Sequence, residues 1–277
     1  MQEKTLLPKM APVKALVSIL RGLPGRFYDL TWRRVRLLGA AALLARDTVV
    51  RMVTPPVAFS EVIRQLELLA VNSTTLTAVI ALFTGMVLAL QSTFALEEFG
   101  AKLYMGEVVA ISLVRELGPV LTALMVGGRV GAGITAELGS MMVTEQVDAL
   151  RSLGADPIRK LVVPRVWALL VGLPLLTVLA DVVGILGGML ISLWEVGLGP
   201  AFYFRHALRL LDYSDFFSGF GKSFFFAFDI ALIACLNGFR AEGGADGVGR
   251  VTTETVVAVA ISVLVLDFFL TKLFLAL

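Results

Sequence analysis

The chain has 277 residues, of which 57% are hydrophobic and only 17% are charged, and its formal net charge is +2. A soluble domain carries about a quarter charged residues. Several windows of about 20 residues are nearly free of charge here, which is the length needed to cross a hydrocarbon core about 30 Å thick. The composition excludes a soluble domain and predicts an all-α integral membrane protein with no nucleic-acid partner.

The chain has one cysteine, Cys235, and one histidine, His206. A single cysteine excludes an internal disulfide, and a single histidine argues against a histidine-based metal site or catalytic triad. We interpret both as ordinary packing or loop residues. We expect no metal site, no catalytic residue and no cofactor in this chain.

The first 26 residues form an N-terminal extension to which we assign no role. Its apolar piece, ALVSIL, is short and has no cleavage site of small residues, so a cleavable signal peptide is not predicted. Residues 27–56 mix apolar residues with several arginines, which favours a helix lying in the membrane interface. Two prolines end this helix, and a shorter amphipathic segment, residues 58–70, leads into the first span.

Five apolar segments are long enough to cross a membrane. They are residues 71–95, 104–138, 166–194, 216–238 and 252–276. At 1.5 Å per residue, the second segment is longer than a bilayer is thick, so we expect its C-terminal end to project toward the cytoplasm. Pro119 and Pro174 are expected to kink the second and third spans.

The distribution of lysine and arginine predicts the orientation of the chain. Eleven of them precede residue 70, four lie in the connection 143–165 and two lie in the connection 239–251. The opposite connections hold Lys102 in one case and two arginines in the other. The N-terminus is therefore predicted to be cytoplasmic, and five crossings place the C-terminus in the periplasm.

Small residues recur at helix-packing spacing in two places. Gly127 with Gly131 and Gly184 with Gly188 each form a GxxxG motif. In lipid this spacing allows two helix backbones to approach closely. The motifs indicate a tightly packed bundle or dimer, and we expect two copies of the chain to meet along these glycine-rich faces.

Two glycine-containing segments resemble nucleotide sites only superficially. Residues 218–223, SGFGKS, end like a phosphate-binding loop, but Phe216 stands where that loop needs its first glycine, and no strand precedes it. The segment GGADGVGR, residues 243–250, also lacks a preceding strand and is expected to be a flexible cytoplasmic loop. We therefore expect no nucleotide hydrolysis by this chain.

Six ionisable residues lie inside the predicted spans. They are Arg115, Glu116, Asp181, Lys222, Asp229 and Asp267. Each costs roughly a few kcal/mol near the bilayer centre if unpaired, so these side chains should face the bundle interior, a cavity or one another. Two interpretations stay open: salt bridges that orient helices, or a polar patch in a substrate path.

The connection 143–165, VTEQVDALRSLGADPIRKLVVPR, is the largest polar interruption between spans. It is predicted to form two short helices, the first capped by Thr144 and stopped by Gly154, and the second capped by Asp156 with Pro157 at its first position. Val147, Leu150 and Leu153 are expected to form one apolar stripe on the first helix. Regular capping predicts a rigid cytoplasmic knob that docks a soluble partner.

Residues 113–168, LVRELGPVLTALMVGGRVGAGITAELGSMMVTEQVDALRSLGADPIRKLVVPRVWA, closely resemble the signature of the MlaE family of permeases. These permeases belong to ABC transporters that work with MCE-domain lipid-binding proteins. The likeness continues through LPLLTVLADVVGILGG, KSFFFA, LNGF and VLDFFLTKLF, so it covers about residues 60–277.

The resemblance implies a permease domain over residues 27–277, with an interfacial helix and five spans in the bacterial inner membrane. It further implies a homodimer, a cytoplasmic ABC ATPase that binds ATP and Mg²⁺, a STAS-domain protein on that ATPase and a hexameric MCE-domain ring in the periplasm. The implied substrate is phospholipid or a related lipid, moved between the inner and outer membranes.

The resemblance also implies roles for individual residues. The charged residues of the lipid cavity correspond to Arg115, Glu116, Lys222 and Asp267, with Arg115 or Lys222 near a phosphate. The helix that couples to the ATPase corresponds to the connection 143–165. Its implied coupling residues are Thr144, Glu145, Gln146, Asp148, Leu150, Leu153, Gly154, Asp156 and Pro157.

Two other functions stay open at this point. An ion-coupled secondary transporter could use Glu116, Asp181, Asp229 and Asp267 as a proton relay, because carboxylates in membrane helices can carry protons. A membrane scaffold could instead only anchor a cytoplasmic complex, in which case substitutions at Glu116 or Lys222 should leave function intact.

Overall fold

The computed structural model describes residues 37–54 and 59–276, apart from the side chain of Leu275. The chain divides into two compact units, residues 1–46 and residues 47–277. The described part of the first unit, residues 37–46, is helical, and the second unit opens with helical residues 47–53.

These helical residues agree with the C-terminal part of the interfacial helix predicted over residues 27–56. The N-terminal extension, residues 27–36 and the two prolines predicted to end this helix lie outside the described residues.

Residues 59–276 form five long helices and two short ones. The seven are α1 (Phe59–Glu97), α2 (Lys102–Val143), α3 (Gln146–Ser152), α4 (Ile158–Val196), α5 (Pro200–Ala207), α6 (Tyr213–Gly238) and α7 (Gly244–Ala276). The five long helices are long and apolar enough to cross a membrane, which confirms the predicted spans and the all-α fold. Each helix is longer than its predicted span, and in α1 the added part is the amphipathic segment Phe59–Leu69.

Two of these extensions change a prediction. The amphipathic segment before the first span is not separate from it, because residues 59–97 form one helix with a single 3-10 turn at Val71–Ser73. The glycine-rich segment 243–250 was predicted to be a flexible loop, and this is wrong from Gly244 onward. Residues 244–250 form the first turns of α7, with left-handed backbone only at Gly243 and Gly244.

Helix α4 lies in the core of the described bundle and packs against α1, α2 and α6. The contact with α1 is close because glycine lies at the crossing. A Cβ atom at Gly85 would overlap the carbonyl of Gly184, and one at Gly187 would overlap the carbonyl of Leu82. Small residues therefore determine how α1 and α4 meet, as expected where lipid supplies no hydrophobic drive for helix association.

The glycine motifs are used inside the chain. A Cβ atom at Gly127 would overlap Val259 of α7, and Gly188 lies against the hydroxyl of Tyr203 in α5. The tightly packed bundle that the motifs indicate is therefore confirmed for these glycines, because neighbouring helices of the same chain cover them. The meeting of two copies along glycine-rich faces stays a prediction.

Helix α2 has 42 residues, which corresponds to about 63 Å at 1.5 Å per residue. This exceeds the thickness of a bilayer, in agreement with a helix that projects beyond one membrane face. Its regular hydrogen bonding is interrupted by two π-helical turns, Leu113–Leu117 and Gly127–Gly131. Such turns are rare and are often found at functional sites.

Candidate functional site

A buried lysine joins three helices inside the bundle. Lys222 of α6 is fully buried, and its ammonium group donates hydrogen bonds to the carbonyl of Arg115 at 3.1 Å, Glu116 Oε2 at 2.6 Å and Thr271 Oγ1 at 2.6 Å. Asp267 Oδ1 lies 3.2 Å from the same nitrogen. An ammonium group has three N–H donors, so these contacts use all of them.

The backbone acceptor in this set exists because α2 is irregular. The N–H of Gly118 bonds to the carbonyl of Leu113, five residues back, and Pro119 has no N–H to give to Arg115, four residues back. The Arg115 carbonyl thus loses its usual helical partner, and the Lys222 ammonium takes that place. The sequence Glu-Leu-Gly-Pro therefore helps to create a polar position inside a helix.

Helix α7 supplies two members of the cluster at helical spacing. Asp267 and Thr271 are four residues apart and so lie on one face of the helix. The Thr271 hydroxyl accepts from Lys222 and lies 3.1 Å from both carboxylate oxygens of Glu116. We name Glu116, Lys222, Asp267 and Thr271 the lysine cluster. With its acids ionised, its formal charge is −1, from one lysine and two carboxylates.

The lysine cluster is not sealed. The Glu116 side chain is 40% exposed, and it lines two open recesses. One recess, with about 720 Å³ of empty space, lies between α2, α6 and α7 and is also lined by Arg115, Ser218 and Phe274. The other, with about 850 Å³, lies along the outer face of α7 beside Asp267.

Arg115 does not join the lysine cluster with its side chain. Its Nε donates to Asp215 Oδ1 at 2.5 Å, while 43% of its side chain stays exposed. Asp215 is held by a capping box, because it also accepts from the Asp212 N–H at 3.0 Å, at the beginning of α6. The predicted set of four charged residues is thus a cluster of three with Arg115 beside it.

Sequence reasoning missed Thr271 and Asp215. Thr271 could have been found from its i,i+4 spacing to Asp267 on a predicted helix. Asp215 fell one residue outside the predicted fourth span, although Asp212 and Asp215 have the spacing of a capping box.

The other two intramembrane acids lie elsewhere. Asp181 is buried in α4 with Oδ1 against Gly118, and Asp229 lies beside Ser262. Among the described residues, neither forms a hydrogen bond or ion pair with the lysine cluster. The structure therefore does not assemble the four carboxylates of the hypothetical proton relay into one chain of contacts.

The segment SGFGKS, residues 218–223, and the single histidine also have defined places. Gly221 to Ser223 lie within the long helix α6, so no phosphate-binding loop forms there, and Lys222 belongs to the lysine cluster. His206 of α5 contacts the carboxylate of Glu107 at 3.1 Å and stacks on Phe202. Cys235 is buried, as expected of a packing residue.

The connection between α2 and α4 contains one short helix and not two. Helix α3 ends at Ser152, and the left-handed backbone of Gly154, φ 76°, stops it from continuing, as predicted. The segment predicted as a second helix is the first part of α4, which runs unbroken from Ile158 into the span. The predicted cap at its start is confirmed, because Asp156 Oδ1 accepts from the Ile158 N–H at 3.0 Å.

The predicted cap of the first helix is wrong. Thr144 Oγ1 donates back to the carbonyl of Ser140 at 2.8 Å and accepts from Gln146 Nε2 at 3.0 Å. It therefore closes the end of α2. Glu145 stands at the N-cap position of α3 with a left-handed backbone, φ 60°, which is rare for a residue other than glycine. This residue turns the chain sharply between α2 and α3.

The expected apolar stripe on α3 does not face one environment. Val147 is fully buried against the bundle and Leu150 is half-buried, whereas Leu153 is 82% exposed. Val147 therefore anchors the connection, and Leu153 projects from it. Asp148 and Arg151 form an exposed ion pair at 2.8 Å.

Asp156 links the connection to the helix that precedes the first span. Its carboxylate accepts a hydrogen bond from the Arg51 guanidinium, and Arg159 Nη2 donates to Thr54 Oγ1 at 3.1 Å. Burial raises the pKa of Asp156, but the hydrogen bonds from Arg51 and from the Ile158 N–H outweigh it, so the pKa of this carboxyl is lowered. The connection is thus braced at both ends.

Comparison with known proteins adds evidence independent of this geometry. The pattern of the family described as permease MlaE matches residues 62–273. The chain is 40% identical to a probable ABC transporter permease protein of Rickettsia conorii over 237 residues, covering 86% of this chain and 92% of the relative.

Two further relatives come from distant sources. The intermembrane phospholipid transport system permease protein MlaE of Haemophilus influenzae is 38% identical over 216 residues, 78% of this chain and 83% of that protein. The chloroplastic protein TRIGALACTOSYLDIACYLGLYCEROL 1 of Arabidopsis thaliana is 35% identical over 84% of this chain and 66% of that protein. The chain therefore belongs to the MlaE permease family and is a multi-pass permease subunit of an ABC transporter.

Proposed function

We propose that this chain is the inner-membrane subunit of a transporter that moves phospholipid or a related lipid between the inner and outer membranes. The observation that carries this proposal is the lysine cluster, a set of charges within apolar helices that borders two open recesses. Charged groups inside membrane helices mark substrate paths. The Haemophilus relative, by its name, belongs to an intermembrane phospholipid transport system.

Arg115 is the better phosphate ligand of the two bases in the site. The ammonium of Lys222 has no N–H left for a substrate, and the cluster around it has a formal charge of −1. Arg115 uses only Nε on Asp215, so its two terminal nitrogens are available toward the recess that it lines. A lipid phosphate on Arg115 brings its head group near the exposed carboxylate of Glu116, which favours a head group with both a phosphate and a cation.

The functional unit is a homodimer in which helix α7 lies near the partner copy. Helix α7 is the least enclosed of the five long helices, and its outer face carries Ile261, Leu264, Val265 and Phe268, all exposed. The larger recess opens on this face. Two copies that meet here join their recesses into one cavity for lipid tails, with the lysine clusters at its walls.

The connection 143–165 couples the permease to a cytoplasmic ABC ATPase, which binds ATP and Mg²⁺. Leu153 and the ion pair of Asp148 with Arg151 are exposed together, and Val147 fixes α3 to the bundle. A rigid projection of this kind transmits a rigid-body movement of the ATPase to α2 and α4. Closure of the ATPases on ATP then compresses the cavity between the permease copies.

On the opposite side, the loops after α1 and α4 face the periplasm and a hexameric ring of MCE-domain subunits. A STAS-domain protein is expected on the ATPase. This orientation rests on the lysine and arginine distribution, which makes the N-terminus cytoplasmic and the C-terminus periplasmic.

The test is purification of the chain from its native membrane, with mass spectrometry of proteins and bound lipid. We expect an ABC ATPase, an MCE-domain protein and phospholipid to copurify. Arg115→Gln should weaken about tenfold the binding of the phospholipid in the recess that Arg115 lines, the loss expected for a charge-assisted hydrogen bond, and should keep the ATPase. Purification with neither ATPase nor lipid would contradict the proposal.

Docking of the ATPase has its own test. The double variant Asp148→Lys with Leu153→Asp should lose the ATPase while the permease still folds, because both side chains are exposed. The matched control is Glu98→Lys with Phe99→Asp. It likewise replaces an acid by lysine and an apolar residue by aspartate, in the exposed loop that directly follows α1. Loss of the ATPase in the control, or its retention in the first variant, places the contact elsewhere.

Energy coupling separates this function from the two alternatives. In proteoliposomes that contain the whole complex, lipid movement should require ATP and should persist when the proton gradient is collapsed. Movement driven by a proton gradient without ATP favours the secondary transporter. Unchanged lipid movement in both Arg115→Gln and Lys222→Met favours the scaffold.

A further inference from the structure

An arginine in the second π-helical turn of α2 joins this helix to the beginning of the first span. Arg129 Nη1 donates to the carbonyl of Asn72 and lies 3.5 Å from Ser73 Oγ. These acceptors belong to the 3-10 turn of α1, where the amphipathic part of the helix changes into the apolar part. The guanidinium is thereby held at a fixed position on the surface of the bundle.

The charge of Arg129 is not neutralised by a neighbouring acid. Arg129 is exposed, and no carboxylate of residues 37–54 or 59–276 lies within ion-pair distance of it. Its Nε and Nη2 groups make no hydrogen bond with that part of the chain. An arginine on a membrane helix is costly unless it finds an anionic partner or reaches the interface.

The position of Arg129 along the bundle corresponds to the cytoplasmic boundary of the membrane. The helical turns before Asn72 carry Glu61 and Arg64 on an amphipathic surface, and the continuous apolar stretch of α1 begins at Thr74. The lysine and arginine distribution makes this the cytoplasmic end. At this depth, the anionic groups that an exposed guanidinium meets are lipid phosphates.

An apolar groove continues from this point along the seam between α1 and α2. Two recesses lie on the seam and share Thr84 and Leu117 as lining residues. The first, which begins near Thr77 and Met125, is nearly closed and has room for about one water molecule. The second is open, has about 580 Å³ of empty space and ends at Gln91. Apart from the side chains of three threonines and Gln91, the lining is apolar.

The groove has the length of a lipid tail. Thr77 and Gln91 are 14 residues apart on one helix, which corresponds to about 21 Å at 1.5 Å per residue. One leaflet of the hydrocarbon core is about 15 Å deep. A tail whose head group lies at Arg129 therefore runs along the apolar side chains of the nearly closed part and enters the open recess past Thr84.

We propose that the seam between α1 and α2 binds one phospholipid of the cytoplasmic leaflet, with its phosphate on Arg129 and one acyl chain in the groove past Thr84. This site is separate from the lysine cluster, because the recesses beside the cluster lie between α2, α6 and α7. The two sites lie on different sides of α2, where Leu117 lines the seam and Glu116 lines the recesses. A lipid at the seam therefore contacts the same turn of α2 that carries the cluster.

Native mass spectrometry of the purified permease complex tests the phosphate contact. The delipidated complex is titrated with phosphatidylglycerol, with diacylglycerol of the same acyl chains and with inorganic phosphate. We expect Arg129→Gln to lower the affinity for one phosphatidylglycerol per chain about tenfold, because a charge-assisted contact is lost. Diacylglycerol and inorganic phosphate should each bind weakly, because each supplies only one of the two contacts.

The matched control is Arg64→Gln, which removes one exposed positive charge at the same end of α1 without touching the groove. It should leave lipid affinity within about twofold of the wild-type value. Equal weakening in both variants means that general surface charge and not the seam attracts the lipid, and this overturns the proposal. Arg115→Gln should keep the seam lipid, so failure of the transport site and failure of the seam are distinguishable.

The groove has a second test that does not depend on Arg129. Thr84→Phe fills the shared part of the two recesses, and Val79→Phe places the same ring on an exposed part of α1 outside them. We expect Thr84→Phe to release the lipid and Val79→Phe to keep it. Equal binding by both variants overturns the proposal even where Arg129→Gln fails to fold.

Discussion

The lysine cluster and the connection 143–165 use the same chemical groups in opposite surroundings. In the connection, Asp148 and Arg151 are three residues apart, 2.8 Å from each other, and more than half exposed. In the cluster, the fully buried Lys222 holds two carboxylates that lie 106 and 45 residues away along the chain.

The two regions differ in whether water can replace the partner of a charged group when the ion pair is broken. An exposed pair exchanges a contact with water for a contact with its neighbour, so it contributes about 0–1 kcal/mol. A buried lysine has no water to return to, so removal of one partner leaves charge without compensation, at a cost of about 3–5 kcal/mol. Equal distances in the two regions therefore do not mean equal contributions.

The largest effect is expected from Lys222→Met. This change leaves Glu116 and Asp267 close together without their shared cation, and it leaves the Arg115 carbonyl without its donor. We expect a loss of about 3–5 kcal/mol in the free energy of unfolding, measured by chemical denaturation in detergent micelles.

The matched control for this substitution is Lys102→Met. Lys102 forms an exposed ion pair with Glu97 at 2.6 Å, so its loss should cost less than about 1 kcal/mol. Adding Glu116→Gln and Asp267→Asn to Lys222→Met should recover part of the lost stability. A cost for Lys222→Met no greater than that for Lys102→Met would show that the cluster is solvated like the surface.

A second prediction separates the anchor of the connection from its projecting end. Val147→Asp buries a carboxylate and should lower the free energy of unfolding by about 2–4 kcal/mol, whereas Leu153→Asp should leave it unchanged, since Leu153 is exposed. Thermal unfolding measures the first effect, and copurification of the ATPase measures the effect of Leu153→Asp. Similar stability losses in both variants would mean that Leu153 is not a surface residue in the assembled protein.

A third prediction concerns the hydroxyl group that sequence reasoning missed. Thr271→Val keeps the shape of the side chain but removes the group that links Lys222 and Glu116. One buried hydrogen-bonding position is lost, so we expect a cost of about 1–2 kcal/mol in unfolding free energy. Thr253→Val, an exposed position on the same helix, should change it by less than about 0.5 kcal/mol. Equal losses of unfolding free energy in the two variants would mean that the Thr271 hydroxyl does not stabilise the lysine cluster.

The five spans could be predicted because each depends only on local hydropathy. The contacts of the lysine cluster could not, since Lys222 and Asp267 reveal their partner only after α6 and α7 are placed. Arg115 shows the same limit, because it lies next to Glu116 in the sequence and yet pairs with Asp215 at the end of another helix.

The other limits of sequence-based prediction have local causes. Thr144 was predicted to cap α3, but helix α2 runs far enough for its hydroxyl to bond to Ser140 within α2. A glycine pair at GxxxG spacing indicates a close helix contact but not whether the neighbour belongs to the same chain. At Gly127 the neighbour is Val259 of this chain.

The smallest expected effect concerns Asp156, whose cap and ion pair can be separated. Asn caps helices as well as Asp does, so Asp156→Asn should lose only the ion pair with Arg51, at most about 1 kcal/mol, whereas Asp156→Ala also loses the cap, about 1 kcal/mol more. Because the pKa of Asp156 is lowered by folding, the stability that its carboxylate contributes is complete above its ordinary pKa of about 3.9. This contribution is lost as the pH falls through the lower folded pKa.

Hydrogen exchange of the Ile158 amide measures this contribution. Its protection, after correction for intrinsic rates, should therefore stay constant from about pH 7 to pH 5 and should fall below about pH 4 in the wild type. In Asp156→Asn the protection should be lower at neutral pH and should lack this decrease, and an identical pH profile in the two proteins would mean that Arg51 and Asp156 do not form an ion pair.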